Sequence, residues 1–432
     1  MYPREILLDS FRAALAAADP LHVVPAHLPP PPDPLKGKTI VIGAGKAAAA
    51  MARAVEQHWP EHCPLEGLVI TRHAHGYDGA DALKRIRVVE AGHPVPDSAG
   101  EAAAREIVAL VQSAQPDDLI LCLVSGGGSS LLSLPAGDIT MADLKVMTHE
   151  LLNSGAPIQE MNVVRKHLSA IQGGRLAAMT SARIVTLIIS DVTGDDPSSV
   201  ASGPTAPDIS TYEDALAILN RYRITPPVSI ARHLSNGARG KITETLKPGD
   251  AAFQRVENYV IATAHVSLAK AAAFFQRHGV TPMILGDRVT GEAREVAKVY
   301  AALVQQIKAY HHPLRPPVAL ISGGECTVTL RGENVGRGGR CSEFLLSMAI
   351  ELEGLDNVYA IACDTDGIDG SEENAGALLV PDTLIRADAL NINARARLGA
   401  NDAYGVFSAL NDLVITGPTR TNVNDYRAIL IL

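Results

Sequence analysis

Two hydrophobic patterns alternate along the first half of the chain. Short, largely apolar runs occur at residues 39–42, 68–70, 86–89, 119–124 and 184–189. Runs of this length, bounded by turn residues, read as strands buried on both faces. Between them lie stretches with apolar residues at helical spacing. Residues 4–18 place Ile6, Leu7, Phe11 and Leu15 on one face. An Ala-rich helix is expected from Ala47 to about Gln57, and Ser98-Ala99-Gly100-Glu101 reads as a capping box opening a helix to about Ser113. Thr140 caps another. Residues 161–171 keep Val164, Leu168 and Ile171 on one side and stop at Gly173-Gly174. Buried strand alternating with helix predicts a doubly wound parallel sheet.

The second half carries the same alternation less regularly. Strands are expected at residues 259–262, 282–285, 318–321, 328–330, 358–362, 414–415 and 427–432, and helices at about 267–278, 292–310 and 341–351. A chain of 432 residues exceeds one ordinary core. Pro226-Pro227, Asn236-Gly237 and Lys247-Pro248-Gly249 cluster near the middle, so the expected domains are residues 1–235 and 236–432. Residues 25–34 and 311–317 read as connectors, the former Pro-rich.

Composition narrows the class. Hydrophobic residues make up 47%, enough for full cores, and a net charge of −9 argues against general nucleic-acid binding. Five cysteines without CxxC spacing suit a reduced, cytoplasmic compartment. The start of the chain lacks a signal-peptide pattern, and no apolar run reaches membrane-spanning length.

Candidate chemistry gathers where the expected strands end. Residues 119–124 run into Ser125-Gly126-Gly127-Gly128-Ser129-Ser130, either a tight connection or an anion cradle of backbone N–H groups and hydroxyls. The first strand runs into Gly43-Ala44-Gly45-Lys46 at a helix start, where a cation and the helix dipole both favour an anion. Walker spacing is absent. Gly43-x-Gly45-x-x-Ala48 fits a loose dinucleotide fingerprint, but the next strand ends Ile70-Thr71-Arg72 with no carboxylate for a ribose. Arg165, Lys166 and Arg175 form either a phosphate-binding or an ordinary solvated set. Asp191, two residues beyond the strand 184–189, is placed to hold magnesium through water or to take a hydroxyl proton, while Asp195-Asp196-Pro197 reads equally well as a turn. A second Ser322-Gly323-Gly324 leads to Glu325. Arg337 and Arg340 sit on the Gly-rich basic stretch 331–340, suited to phosphoryl transfer or to a flexible hairpin. Asp364-x-Asp366-Gly367-x-Asp369 lacks the calcium-loop pattern, and neither HExxH nor GxSxG occurs.

These pieces, in this order, resemble the class II glycerate kinases, the D-glycerate 2-kinase family. The longest matches are Glu160-Met161-Asn162 through Gly173-Gly174-Arg175-Leu176-Ala177, and Ser190-Asp191-Val192-x-Gly194-Asp195-Asp196-Pro197 through Ala201-Ser202-Gly203-Pro204-Thr205. Gly338-Gly339-Arg340, Asp366-Gly367-x-Asp369-Gly370 and Thr416-Gly417-Pro418-Thr419 extend the match to the C-terminus. The resemblance implies an N-terminal Rossmann-like domain, a second α/β domain with a MOFRL region at about 316–428, and an active site in the cleft between them. It implies ATP-dependent phosphorylation of glycerate at its 2-hydroxyl, with magnesium.

The family's active-site lysine maps onto Lys46 and its C-terminal arginine onto Arg340. On this reading Lys46, Asp191 and Arg340 are catalytic, with Asp191 also the magnesium holder. Gly43, Gly45, Ser125, Gly126, Gly127, Gly128, Ser129, Ser130 and Glu325 hold ATP. Arg165, Lys166 and Arg175 hold the substrate. A small-molecule hydroxy acid is the expected partner, with neither nucleic acid nor membrane, and a homodimer is held open. Cys341-Ser342 stands where the family usually has Asn-Gln, and Ser371-Glu372-Glu373-Asn374 where it often has Thr-Asp-Ala-Ala. Both departures bear on substrate choice. Some members bear the name hydroxypyruvate reductase of tartrate degradation, so an NAD(P)H-dependent reductase is the rival reading, and a non-catalytic metabolite-binding homologue a third.

Overall fold

The apolar runs of the first half lie side by side in one sheet. Its strands are β1 (Thr39–Ala44), β2 (Leu65–Arg72), β3 (Ile86–Ala91), β4 (Leu119–Ser125), β5 (Arg183–Ile189) and β6 (Val256–Ala262). Their order is β3-β2-β1-β4-β5-β6, and every pairing from β3 through β5 is parallel. Ile42 of β1 registers with Leu68 on one side and Cys122 on the other. All residues of β1 and β4 are buried, which is why neither alternates polar and apolar positions. The chain winds outward from β1 to β3, then returns to β4 beside β1. The β1/β4 junction is therefore the topological switch point, where open α/β sheets bind ligands beyond the strands' carboxyl ends.

The computed structural model describes residues 2–77, 79–330 and 336–432. It divides into two compact units, one of Pro20–Ile261 and one of Met1–Asp19 with Ala262–Leu432. The expected boundary at 235/236 thus falls inside the first unit, within the helix Val228–Ala238. Residues beyond it stay with this unit because β6 is the sixth strand of its sheet. The N-terminal helix Pro3–Ala16 belongs instead to the second unit. There Leu7, Phe11 and Ala14 join a core with Leu268, Phe275 and Tyr426, and the Tyr426 hydroxyl donates to Ser10 Oγ at 2.8 Å.

The second unit has a mixed sheet of β7 (Thr281–Gly286), β8 (Val318–Ser322), β9 (Val358–Asp364), β10 (Gly376–Leu379), β11 (Leu413–Val414) and β12 (Asp425–Ile431), in the order β11-β10-β9-β12-β8-β7. β12 lies antiparallel between β8 and β9, with Arg427 opposite Ser322 and Asp425 opposite Asp364. This register brings the ends of β8 and β9 to one edge with the start of β12.

Three local differences from the sequence reading have physical causes. The helix Ser98–Ser113 is capped by Asp97, whose carboxylate accepts from the Gly100 amide at 2.9 Å, rather than by Ser98. Residues 328–330 form no strand, because the Thr329 amide and hydroxyl both donate to the Glu292 carboxylate. The helices Thr383–Ala389, Ala394–Gly399 and Ala403–Ala409, with β10, occupy a region where the sequence pattern predicted no elements. Of the Gly-rich stretch 331–340, residues 331–335 lie outside the described residues. Among the described residues no helix is long and apolar enough to cross a membrane.

Candidate active site

Two glycine loops leave adjacent strands at the switch point, and their backbone donors differ. In the first, the Gly45 amide donates to Ile70 O at 3.1 Å, Lys46 to Gly126 O at 2.8 Å, and Ala47 to Ser125 Oγ at 3.0 Å. Its donors are occupied. Gly45 is required by close approach: a Cβ there would stand 2.1 Å from Ser125 Oγ. Ser125, expected as a ligand, is fully buried and ties the two loops together. In the second loop, among the described residues, no backbone carbonyl or side chain accepts from the amides of Gly127, Gly128 and Ser129. Gly127 is left-handed, with φ of 79°. Successive free amides on such a turn form an anion-binding concavity.

Lys46 and His93 converge on this loop. A methyl on Gly127 would meet the His93 ring at 2.9 Å and Lys46 Cγ at 3.4 Å. Ser129 is anchored from two sides. Its hydroxyl lies 2.8 Å from that of Ser202, and Gln172 Nε2 donates to its carbonyl at 2.8 Å. Ser202 sits in the left-handed run Ala201-Ser202-Gly203, with φ of 50°, 57° and 55°. The Ser130 hydroxyl turns inward, donating to Gly127 O at 3.1 Å. Asp191 follows β5 and is half-buried at the same sheet edge. Asp196 closes a turn, accepting from the Ser198 amide at 2.9 Å and hydroxyl at 2.7 Å.

The three cations expected at the substrate do different things. Lys166 is buried and pairs with buried Asp208 at 3.2 Å. Burial alone would raise the Asp208 carboxyl, but the Lys166 ammonium and the hydroxyl and amide of Ser210 together hold it below the ordinary carboxylate range. Arg175 donates to the Lys166 and Gln172 carbonyls at 2.8 and 3.3 Å and to the Tyr212 hydroxyl at 3.3 Å. Both are bound within the protein. Among the described residues Arg165 donates only to Asn162 Oδ1, at 3.3 Å, and burial pushes its pKa down to about 10.

The second unit carries its own polar cluster. Arg340 opens the helix Arg340–Leu352 and contacts three carboxylates, Asp364 at 2.6 Å, Asp425 at 2.7 Å and Glu325 at 3.3 Å. Burial alone would lower its pKa, but these carboxylates outweigh that and raise it well above the ordinary value. Fully buried Arg427 pairs with Asp425 and donates to Gly323 O at 3.1 Å. The aspartates of the 364–369 run divide their work. Asp366 accepts from the Ile368 amide, and Asp369 caps the helix, accepting from the Cys341 and Ser342 amides at 2.9 Å each. Arg337 stacks over the Tyr404 ring and bonds Glu372.

Comparison with known proteins agrees with this architecture. Residues 6–235 match the "Domain of unknown function (DUF4147)" and residues 318–425 the MOFRL family. A glycerate 2-kinase of Pyrococcus horikoshii is 38% identical over 98% of this chain and 96% of its own. A crystal structure of glycerate kinase from Thermotoga maritima superposes with a TM-score of 0.85, at 34% identity over 99% of both chains. The chain belongs to the MOFRL-containing glycerate kinase family. A family relative in Agrobacterium vitis, 49% identical over 99% of this chain and 94% of its own, bears a hydroxypyruvate reductase name.

Cys341 and Ser342, which depart from the family's usual Asn-Gln, are fully buried. The Ser342 hydroxyl bonds Gly339, and the Cys341 side chain joins the core. Four positions escaped the sequence reading of the site: His93, Asn162, Gln172 and Ser202. None carries a local signal. His93 precedes a proline, Asn162 lies within the Arg165 helix, Gln172 follows it, and Ser202 is one serine among several.

Proposed function

We propose that this chain transfers the terminal phosphoryl group of ATP to the 2-hydroxyl of D-glycerate, giving 2-phosphoglycerate and ADP. The observation that carries the reading is the Gly127–Ser129 backbone. Its amides are unengaged, and Lys46 lies against it at the β1/β4 switch point. Phosphoryl transfer asks a protein mainly for positioning and for charge on the phosphoryl oxygens. The loop amides and the Lys46 ammonium supply that charge. Gly43 and Gly45 shape the turn that carries Lys46.

The donor set fits a polyphosphate. No group of three or more metal-ligating side chains occurs among the described residues. That suits magnesium carried on the phosphates with one carboxylate and waters, the mode this small, strongly hydrated ion prefers. Magnesium, when bound, neutralises phosphate oxygens. Asp191 holds it through water or accepts the hydroxyl proton. Arg340 acts as a positioning residue, fixing Asp364, Asp425 and Glu325 in its own unit. Five cysteines, all unpaired and buried, suit a reducing, cytoplasmic setting.

The test is purified protein with D-glycerate and Mg-ATP. 2-Phosphoglycerate and ADP are expected in equal amounts, with light scattering on the same preparation checking the homodimer expectation. Oxidation of NADH or NADPH by hydroxypyruvate, with no ADP formed, would replace the kinase reading by the reductase one. That second reading rests on the name of the Agrobacterium relative, and the glycerate kinase relatives do not favour it. Against it, β2 ends at Thr71-Arg72, and the Thr71 hydroxyl is turned onto Gly45 O at 3.1 Å.

A further inference from the structure

Among the described residues, the three buried lysine and arginine side chains are each paired with a carboxylate. Lys166 has Asp208, Arg294 has Glu343 at 2.8 Å, and Arg427 has Asp425. Arg165, on the same helix as Lys166, has no carboxylate partner among the described residues, and its one acceptor is the Asn162 side-chain carbonyl. Arg165 is half-buried, and partly desolvating a cation without a counter-charge carries a cost. The fold gives no local reason for that cost, since the helix buries Met161, Val164 and Leu168 on its own.

Arg165 lines a small cavity with Ser129, Ser133, Thr148, Ser169 and Gln172, closed by leucines and Pro96. Ser129 enters from the glycine loop and is held by Ser202 and Gln172. The Ser133 hydroxyl is turned to Ser130 O at 2.8 Å, and Ser169 Oγ accepts from the amides of Ile171 and Gln172. Two of the hydroxyl-bearing walls are therefore rigid. The space admits a group of only a few atoms, far less than a triphosphate. One planar cation, fixed polar walls and an apolar back suit a small monoanion.

We propose that this cavity is the subsite for the carboxylate of the acceptor acid, with Arg165 supplying its counter-charge. The identity of the acid rests on the kinase reading, but the presence of an anion subsite does not. The arrangement puts the carboxylate on one side of Ser129 and the unengaged amides of Gly127 and Gly128 on the other. Ser129 belongs both to the cavity wall and to the glycine loop, so an acid whose hydroxyl is adjacent to its carboxylate suits the arrangement. The site then selects for a free carboxylate next to the phosphorylated hydroxyl.

The experiment is calorimetric titration of D-glycerate into the full-length wild type, Arg165→Gln and Arg165→Lys, with KM measured separately for D-glycerate and Mg-ATP. Arg165→Gln is expected to weaken D-glycerate binding and raise its KM by about 10- to 100-fold, as expected for a charged hydrogen-bonded contact, with KM for Mg-ATP little changed. D-Glyceramide, the uncharged analogue, should bind weakly and indifferently to the substitution. Arg165→Lys should fall between, since an ammonium keeps the charge and loses the fork. If Arg165→Gln does not fold, an unchanged KM for D-glycerate in Arg165→Lys overturns the assignment. Wild-type-like glycerate binding in Arg165→Gln, no glycerate binding to the wild type, or a KM change confined to Mg-ATP also overturns it. Arg165-dependent glycerate binding in a protein that forms no phosphoglycerate would uphold the subsite and reject the kinase.

Discussion

The hydroxyls of Ser129 and Ser202 stand 2.8 Å apart, joining residues 73 positions distant in the chain. Ser202 is fully buried and left-handed, and its carbonyl accepts from the Gly173 amide at 3.0 Å. The glycine loop is thereby fixed to the segment that follows the Arg165 helix. Ser202→Ala should remove one neutral hydrogen bond, lowering stability by about 1 kcal/mol. It should lower kcat more than it raises KM for either substrate, since a loosened loop misplaces transition-state donors. Thermal melting with steady-state kinetics checks both. A change in stability with kinetics untouched would make the contact purely structural.

Lys46 is half-buried over Gly127, and its backbone amide is held by Gly126 O. Lys46→Ala leaves that backbone contact intact and removes the side chain beyond Cβ, the ammonium included. We expect kcat to fall about tenfold or more, the loss typical of a charge-stabilising donor, with the melting temperature close to wild type. Turnover near wild type would exclude Lys46 from the transition state.

Lys166 should behave differently from its neighbour Arg165. Lys166→Met strands the buried Asp208 carboxylate, at a cost of about 3–5 kcal/mol. Asp208's folded pKa is depressed, so its stabilising contribution is complete above the ordinary value of 3.8 and is lost as pH falls through the lower folded value. The wild type should therefore begin to lose this contribution only below about pH 4. The variant should unfold at higher pH, because the carboxyl no longer stays charged against burial. Circular dichroism along a pH series reads the shift, and coincident acid transitions would show that the pair contributes nothing.

Arg340 is held by Asp364 and Asp425, which are almost wholly buried. Arg340→Ala leaves Asp364 without its cation and Asp425 with Arg427 alone, so stability and turnover should fall together, the former by about 3–5 kcal/mol. Arg340→Lys should not rescue, since one ammonium cannot reproduce contacts made through three separate guanidinium nitrogens. Calorimetric melting beside kcat tests this. A stable Arg340→Ala protein with lost turnover would give Arg340 a direct part in the chemistry.

Much of the fold was legible because its signals are local. The fully apolar runs of β1, β4 and β5, and the glycines that follow β1 and β4, need only a few neighbouring residues to be read. The N-terminal helix was legible as a helix, but its place in the second unit was not. That place depends on Phe11 stacking on Tyr426 at 5.7 Å, over four hundred residues away. The region holding β10 and the three short helices was missed because none has a long apolar period.

By itself, the sequence determined a doubly wound sheet and the loops at its carboxyl edge, because strand burial and glycine turns are written in consecutive residues. It also determined that Arg165, Lys166 and Arg175 would lie near one another. Only the tertiary structure decided which of them is paired within the protein. Asp208 comes from 42 positions beyond Lys166 to neutralise it, Tyr212 from 37 beyond Arg175, and no carboxylate among the described residues pairs with Arg165. The same holds for the two glycine loops. Their sequences promise equal anion cradles, but the donors of the first are taken by Ile70, Ser125 and Gly126 across the sheet, and those of the second are not. A local pattern specifies which groups a loop has, and contacts from distant strands decide which of them remain to bind.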